Sequence, residues 1–336
     1  MKNGIVLATN DEYFLGLVAT LNSLKISNPN VGVCVFDTGI SEENLNKLKE
    51  KNIRVVDLKF VNELLSGKVR FWQGGFMKDF SCFAQLFSWM SGFENILSLE
   101  VDTLVLSDLS EYFEKLETNE FVGSMDDGVA NFLEPKWIWP FRNQITFDGA
   151  ERHEYLTKLR RLTFIKDEKI NHGRMDVIVN ELGLENVDDY LSMNGGVFAA
   201  KSDMFKKMSD SFDELIPYGQ SFEFLAQSYI NLFLVKNKIK FYNMGSQWNL
   251  SGLNDLEGYL GDGELSDTTF LNLTEESPLT GTRRSEVRIK DNQLFINDDK
   301  IHIIHYTGHN KPWKLSKELN KIVDLWYSYY NNGDII

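Results

Sequence analysis

Cysteine is nearly absent from this chain of 336 residues: Cys34 and Cys82 are the only two. That excludes a disulfide framework and a zinc site built from cysteine alone. Both lie in apolar runs and read as buried free thiols, which suits a reducing compartment. Positive charge is also short. Lys and Arg number 35 against 49 Asp and Glu, a net charge of −14. A field of that sign repels phosphate backbones and speaks against nucleic-acid binding, though not against a local pocket for one small phosphate ligand. No apolar run approaches the ~18–20 residues that a membrane helix needs. The opening run, Ile5–Ala8 with Thr9, gives way at once to Asn10, Asp11 and Glu12, too short and too soon polar for a signal peptide. The expectation is a cytoplasmic protein, including one working at the inner face of a membrane. Internal repeats and low-complexity segments are missing too. What is present is a 43% apolar share, enough for a sizeable core and too much for a disordered chain. The length suits about two domains, or one large α/β domain with an attached subdomain.

The first 125 residues alternate strand and helix signals. Strands are expected at Ile5–Thr9, Val31–Phe36, Ile53–Leu58 and Ile96–Leu99. Helices are expected over about 13–26, from Ser41 as N-cap, and over about 79–91. Repeated β-α-β order predicts a parallel, doubly wound sheet. Residues 128–185 lose the rhythm and carry Trp137, Trp139 and Phe141. They read as an insertion, and a satellite apolar cluster is the plainer reading of its rings. A strand returns at Ser192–Ala200 and a helix over about 220–235. Residues 250–285 read as a long loop, of the kind that is commonly functional. Val287–Lys290 and Gln293–Ile296 flank a tight turn at Asp291-Asn292 and predict a hairpin. Ile301–Tyr306 reads as a strand and the last 22 residues as a helix. Lys311, Lys314, Lys317 and Lys321 would let this end touch an anionic membrane, but its apolar stripe favours packing on the domain.

Three constellations carry chemistry. In Leu99-Glu100-Val101-Asp102 two carboxylates lie two residues apart at the end of an apolar strand. Strand period puts them on one side. Open α/β sheets bind ligands beyond the carboxyl ends of their strands. Two hard oxygen ligands there suit Mn²⁺ or Mg²⁺ with a phosphate-bearing substrate; solvated strand-end carboxylates are the plainer reading. Next, an apolar strand delivers His305, followed by Gly308 and Lys311. A neutral imidazole favours Mn²⁺ over Mg²⁺, and the lysine could neutralise a diphosphate. Finally, Asn194-Gly195-Gly196-Val197 enters a strand, where paired glycines mean tight backbone geometry or a close ligand.

Together these segments resemble family 8 glycosyltransferases, the glycogenin and lipopolysaccharide galactosyltransferase group. Leu7-Ala8-Thr9-Asn10-Asp11-Glu12-Tyr13 is similar to that family's nucleotide-binding segment. Glu100-Val101-Asp102 sits at its Asp-x-Asp metal motif, and Asn194-Gly195-Gly196-Val197 at its Asn-Ser/Ala-Gly-Val. Gln227 and Asn231 match its Asp-Gln-x-x-x-Asn helix, and His305-x-x-Gly308-x-x-Lys311-Pro312-Trp313 its C-terminal signature. The resemblance implies a GT-A-type single large domain with a mostly parallel doubly wound sheet, an inserted acceptor-side subdomain and a C-terminal helix. It divides the chain into a nucleotide-binding half (1–125), the insertion (126–190), the rest of the domain (191–313) and the C-terminal helix (314–336). It further implies a retaining transfer of a hexose-type sugar from a UDP-sugar to a glycan or lipid-linked acceptor. Ala8, Thr9, Asn10 and Val101 would meet the nucleotide, with Tyr13 stacked on the base. Glu100, Asp102 and His305 would bind Mn²⁺, with Mg²⁺ as the alternative. Gly308 and Lys311 would hold the diphosphate, Asn194 and Asp126 the donor sugar, and Gln227 would lie near the anomeric carbon.

The chain departs from the family pattern at three places. Glu100 stands for the first Asp, Ala226 for an Asp that binds donor-sugar hydroxyls, and Gln85 for an Arg that contacts phosphate and sugar. These departures support a second reading, a catalytically weak or inactive relative that binds nucleotide sugar or glycan. A third, a sugar nucleotidyltransferase, expects a Gly-rich N-terminal loop that Ala8-Thr9-Asn10-Asp11 does not supply.

Overall fold

The computed structural model describes residues 2–66, 81–125, 182–183, 193–219, 225–250, 287–290, 292–296, 299–307, 311–314 and 321–332. The insertion with Trp137, Trp139 and Phe141 and the loop over 251–286 lie outside them. The chain opens with β1 (Asn3–Asn10), α1 (Phe14–Ser27), β2 (Gly32–Gly39), α2 (Glu42–Glu50), β3 (Arg54–Asp57) and α3 (Phe60–Leu65). Then come α4 (Ser81–Ala84), a 3₁₀ segment (Gln85–Ser91), β4 (Asn95–Glu100), β5 (Thr103–Val105), α5 (Ser110–Lys115) and β6 (Phe121–Met125). The next elements are β7 (Met193–Lys201), α6 (Ser202–Asp210), α7 (Phe212–Gly219), α8 (Leu225–Lys236) and β8 (Tyr242–Asn243). Strands β9 (Val287–Lys290), β10 (Gln293–Ile296), β11 (Asp299–Lys300) and β12 (Ile303–His305) precede α9 (Lys321–Asn332).

Seven strands form the central sheet in the order β3-β2-β1-β4-β7-β6-β8. The first four are mutually parallel, β7 runs antiparallel to β4 and β6, and β8 is parallel to β6. The sheet is therefore mostly parallel, as expected, with one reversed strand. Alternation along β1 sends Ile5 and Leu7 to one face and Val6 to the other. Helices α1 and α5 cover the first face; α4, α6, α7 and α8 cover the second. Burial on both faces explains why the strands read as continuous apolar runs. A third cluster joins Leu104, Ile304 and Ala19 to Trp326 of α9. Helix α1 lies between the sheet and α9, so it is buried from Phe14 to Leu24 apart from Leu15. The amide of Asn22 donates to Tyr329 O at 2.9 Å across that contact. Among the described residues no helix is long and apolar enough to cross a membrane.

Several expectations hold in detail. Ser41 accepts the Asn44 N–H as N-cap of α2, and β9 and β10 pair as a hairpin turned by Asn292 at φ 58°. Others need correction. The helix expected over 79–91 is α-helical only to Ala84; beyond it the chain tightens into the 3₁₀ turn, and Gly92 ends it in the left-handed region. Cys34 is buried, but Cys82 is only half-buried.

Strand order reverses at β1, whose neighbours β2 and β4 lie on opposite sides. The carboxyl ends of β1 and β4 open there, the place where such sheets bind ligands. Helix α1 docks on the turn that follows β4. Thr20 Oγ1 lies 2.7 Å from Thr103 O, and a Cβ on Gly16 would fall 2.6 Å from Val101 O and 2.7 Å from the Trp313 ring. Alanine gains about 0.5–1 kcal/mol over glycine inside a helix, but overpacking costs about 1–3 kcal/mol. Gly16→Ala is therefore expected to lower the melting temperature; a rise would show that α1 is not pressed on this turn.

Candidate active site

Chain topology brings the carboxylates together by a different route from strand alternation. Glu100 ends β4, while Val101 and Asp102 form a turn closed by the Thr103 hydroxyl on Glu100 O at 2.7 Å. The chain then leaves the central sheet. Strand β5 pairs antiparallel with β12, Thr103 opposite His305, and Tyr306 N–H donates to Asp102 O at 2.8 Å. This pairing sets the imidazole between the two carboxylates. His305 Nε2 lies 3.0 Å from Glu100 Oε2 and 3.3 Å from Asp102 Oδ1. Lys311 follows in the next turn, with Nζ bound to Asp102 Oδ2 and donating to Tyr306 O at 2.9 Å.

Asp102, His305 and Lys311 are each at most 5% exposed, so their charges need partners. Burial disfavours the Asp102 carboxylate, but Lys311 and His305 outweigh it and hold the group below the ordinary carboxylate range. Burial likewise disfavours a charged His305, but Asp102 and Glu100 raise it to about 9. The two carboxylates therefore favour the charged imidazole. Ligand atoms of Glu100, Asp102 and His305 lie within 4.8 Å of one another. Asp102 Oδ1 is buried and takes no hydrogen bond among the described residues. An unfilled buried carboxylate oxygen, a second carboxylate and an imidazole fit a divalent cation, which would take the place of the imidazole proton.

Asn249 is a part of this site that the sequence did not announce. It is buried, and its Oδ1 lies 3.0 Å from His305 Nδ1. Accepting that N–H leaves Nε2 to face the carboxylates, the usual arrangement of a ligating imidazole. Asn249 Nδ2 is left buried without a partner among the described residues. No motif marks this asparagine; only the fold brings it to His305.

The glycine pair now has a physical reason. Consecutive residues of β7 face opposite sides of the sheet. A Cβ on Gly196 would fall 2.1 Å from His305 Cε1, and one on Gly195 would fall 3.1 Å from Gln227 Cα. The glycines admit β12 on one face and α8 on the other. Gln227 Oε1 accepts Gly195 N–H at 3.0 Å, and Asn194 Oδ1 accepts Gly196 N–H at 2.9 Å. Asn231 grips both backbone groups of Met193, accepting its N–H at 2.8 Å and donating to its carbonyl at 2.9 Å. It is thus a clamp between α8 and β7.

The nucleotide-binding candidates lie beside the cluster. Ala8 pairs with Glu100 in the sheet, Thr9 and Asn10 end β1, and Asn10 Oδ1 accepts Tyr13 N–H at 3.2 Å. Lys311 Nζ is 5.8 Å and Lys314 Nζ 6.0 Å from the centre of the Tyr13 ring, with Trp313 edge-on against it. Val101 is buried under α1, and its carbonyl accepts the Thr20 hydroxyl at 3.0 Å. Ala226 is buried in the apolar cluster on the α8 side. Asp126 and Gly308 lie outside the described residues.

Gly196→Ala would drive a methyl into the His305 ring. The expected outcome is a lower melting temperature and loss of any stabilisation by Mn²⁺, read by thermal denaturation with and without the ion. Retained stabilisation would remove His305 from the cation cluster.

Comparison with known proteins agrees with this fold. The model of glycosyl transferase family 8 matches residues 4–159. No curated protein sequence matches the chain. Among solved structures, the bifunctional glycosyltransferase WbbM superposes with a TM-score of 0.59 and 18% identity, over 99% of this chain and 50% of that one. This chain thus spans half the length of WbbM. An active-site mutant of LgtC, and galactosyltransferase LgtC in complex with donor and acceptor sugar analogues, each superpose with a TM-score of 0.57 and 16% identity. Those two cover 99% of this chain and 97% of theirs. From Gly4 onward the matched region contains the ends of β1 and β4, with Glu100 and Asp102 inside it, and the chain is built on the GT-A fold of these solved structures.

Proposed function

We propose that this chain moves a hexose-type sugar from a UDP-sugar to a hydroxyl of a glycan or lipid-linked acceptor, with retention at the anomeric carbon, and that it needs Mn²⁺ or Mg²⁺ to do so. The observation that carries this reading is buried Asp102, whose Oδ2 is held by Lys311 while Oδ1 faces His305 and Glu100 without a hydrogen bond. Glu100, Asp102 and His305 would hold the divalent ion, which would supply Lewis-acid stabilisation of a departing diphosphate. The ends of β1 and Tyr13 receive the nucleotide, the ring as a stacking surface. Lys311, resting on Asp102, shares its ammonium with incoming phosphate oxygens and offsets charge on the leaving group. Gln227, uncharged and tied to Gly195, orients and polarises at the sugar. Asn194 and Asp126 hold the donor hydroxyls, and Gly308 lets the backbone approach the diphosphate. Positioning and electrostatics then provide most of the rate gain.

In this reading residues 1–125 carry the nucleotide, 126–190 the acceptor, 191–313 the remaining donor and cation groups, and 314–336 a packing helix. Two free cysteines and the acidic charge balance favour a cytoplasmic setting. Burial of Ala226 in the core favours a second reading, since an apolar side chain there offers no donor-sugar contact. That reading is a protein that binds nucleotide sugar without efficient transfer.

UDP release should be measured with a panel of UDP-sugars, with and without Mn²⁺, beside thermal stability. Mn²⁺-dependent release from one donor is the expected result. Stabilisation by UDP and Mn²⁺ without turnover on any acceptor would favour the binding module. No response to either would overturn both readings. Lys311→Ala is expected to lower turnover by about 10²–10³-fold; unchanged turnover would remove Lys311 from the mechanism.

A further inference from the structure

Glu100 must hold its carboxylate in place at the end of a strand, where its side chain is 35% exposed and has several torsions to fix. A cation ligand needs placement to within about half an ångström. Oε2 lies against His305, and Oε1 accepts Gln85 Nε2 at 3.3 Å. Gln85 starts the 3₁₀ segment and is 3% exposed. A buried primary amide must satisfy both of its ends. Its Oε1 accepts the hydroxyl of Ser98 at 3.0 Å. Ser98 lies two residues before Glu100 on β4, so both side chains point to the face that Gln85 covers. Turning the amide over would set Gln85 Oε1 against a carboxylate oxygen, two acceptors in contact.

We infer that Gln85 is a positioning residue: aimed by Ser98, its amide fixes the Glu100 carboxylate for the cation cluster. The neutrality of the amide matters here. An amide N–H orients the carboxylate and leaves its charge available. Glu100 and Gln85, two of the positions where the sequence parts from the family pattern, are thus bonded to each other. The longer acid and the neutral amide work as one unit.

This inference rests on the cation reading of the cluster, and the test separates the two. Mn²⁺ affinity is measured by calorimetry on the full chain, with and without UDP, for wild type, Gln85→Leu, Gln85→Glu, Glu100→Gln and Gln85→Leu/Glu100→Gln. Gln85→Glu keeps the size of the side chain and its contact with Ser98, so it decides the matter if Gln85→Leu melts early. The expected result is about 10–100-fold weaker Mn²⁺ binding in both single Gln85 variants. Adding Gln85→Leu to Glu100→Gln should cost nothing further, because the first acts through the second. Wild-type binding with unchanged affinity in the Gln85 variants would overturn the role of Gln85 and leave the cation site standing. So would a Gln85→Leu loss that adds in full to that of Glu100→Gln. Wild type that binds no Mn²⁺ under either condition would overturn the cation site and this inference with it.

Discussion

The short pairing of β5 with β12 is the constraint on which the site depends. Three residue pairs, from Ile303 opposite Val105 to His305 opposite Thr103, join positions far apart in the chain. Backbone bonds on either side extend the join: Leu106 N–H to His302 O and Tyr306 N–H to Asp102 O, each 2.8 Å. Everything chemical follows from it. It moves Asp102 out of the central sheet, sets His305 between two carboxylates and starts the turn that delivers Lys311. Two anions and two cations then share a largely buried space. Burying such charges costs several kcal/mol per ion unless each is matched. Here each is matched, Glu100 and Asp102 against His305 and Lys311. Asn249 and Gln85 supply uncharged hydrogen bonds behind the charged groups, which fixes their direction without altering the balance.

Most of the framework was legible because its signals are local. Apolar runs of four to six residues mark β1, β2 and β4, Ser41 marks the start of α2, and Asp291-Asn292 marks the hairpin. Glu100, Asp102, His305 and Lys311 could be picked out because charge at the end of an apolar strand is a strong contrast. The break between β4 and β5 was not legible. The strand expected at Ile96–Leu99 ends at the acids, but nothing local marks Thr103–Val105 as a strand of another sheet, and only the long-range partner β12 shows that the chain changes sheets. The 3₁₀ turn at Gln85–Ser91 was hidden for a similar reason. Its apolar residues satisfy a helical pattern, and the tightening reflects packing under β4 rather than propensity.

Polar residues behind the site were the least legible. Gln85 looked like the loss of a positive charge, and its bond to Glu100 exists only once β4 and the 3₁₀ turn pack together. Asn249 had no signal at all. Its value comes from a bridge between Leu250 and Ile304 that draws residues 249–250 beside β12. The glycine pair was noticed, but the fold gives a firmer reason than close approach of a ligand. On β7 the space is needed first by the protein's own His305 and Gln227.

The separation of Glu100 and His305 by 205 positions has a consequence for how the protein is made. Contacts between remote segments form slowly, because chain entropy must be given up before they contribute. As the polypeptide leaves the ribosome, β1 to β4 can pair while β12 has yet to be synthesised. During that interval Glu100 and Asp102 are two neighbouring acids with no cation beside them, and the apolar face of β5 has no strand to cover it. The nascent chain is therefore partly sticky until β12 emerges. The completed cluster of Glu100, Asp102 and His305 and the cover over β5 arrive together, with one short strand.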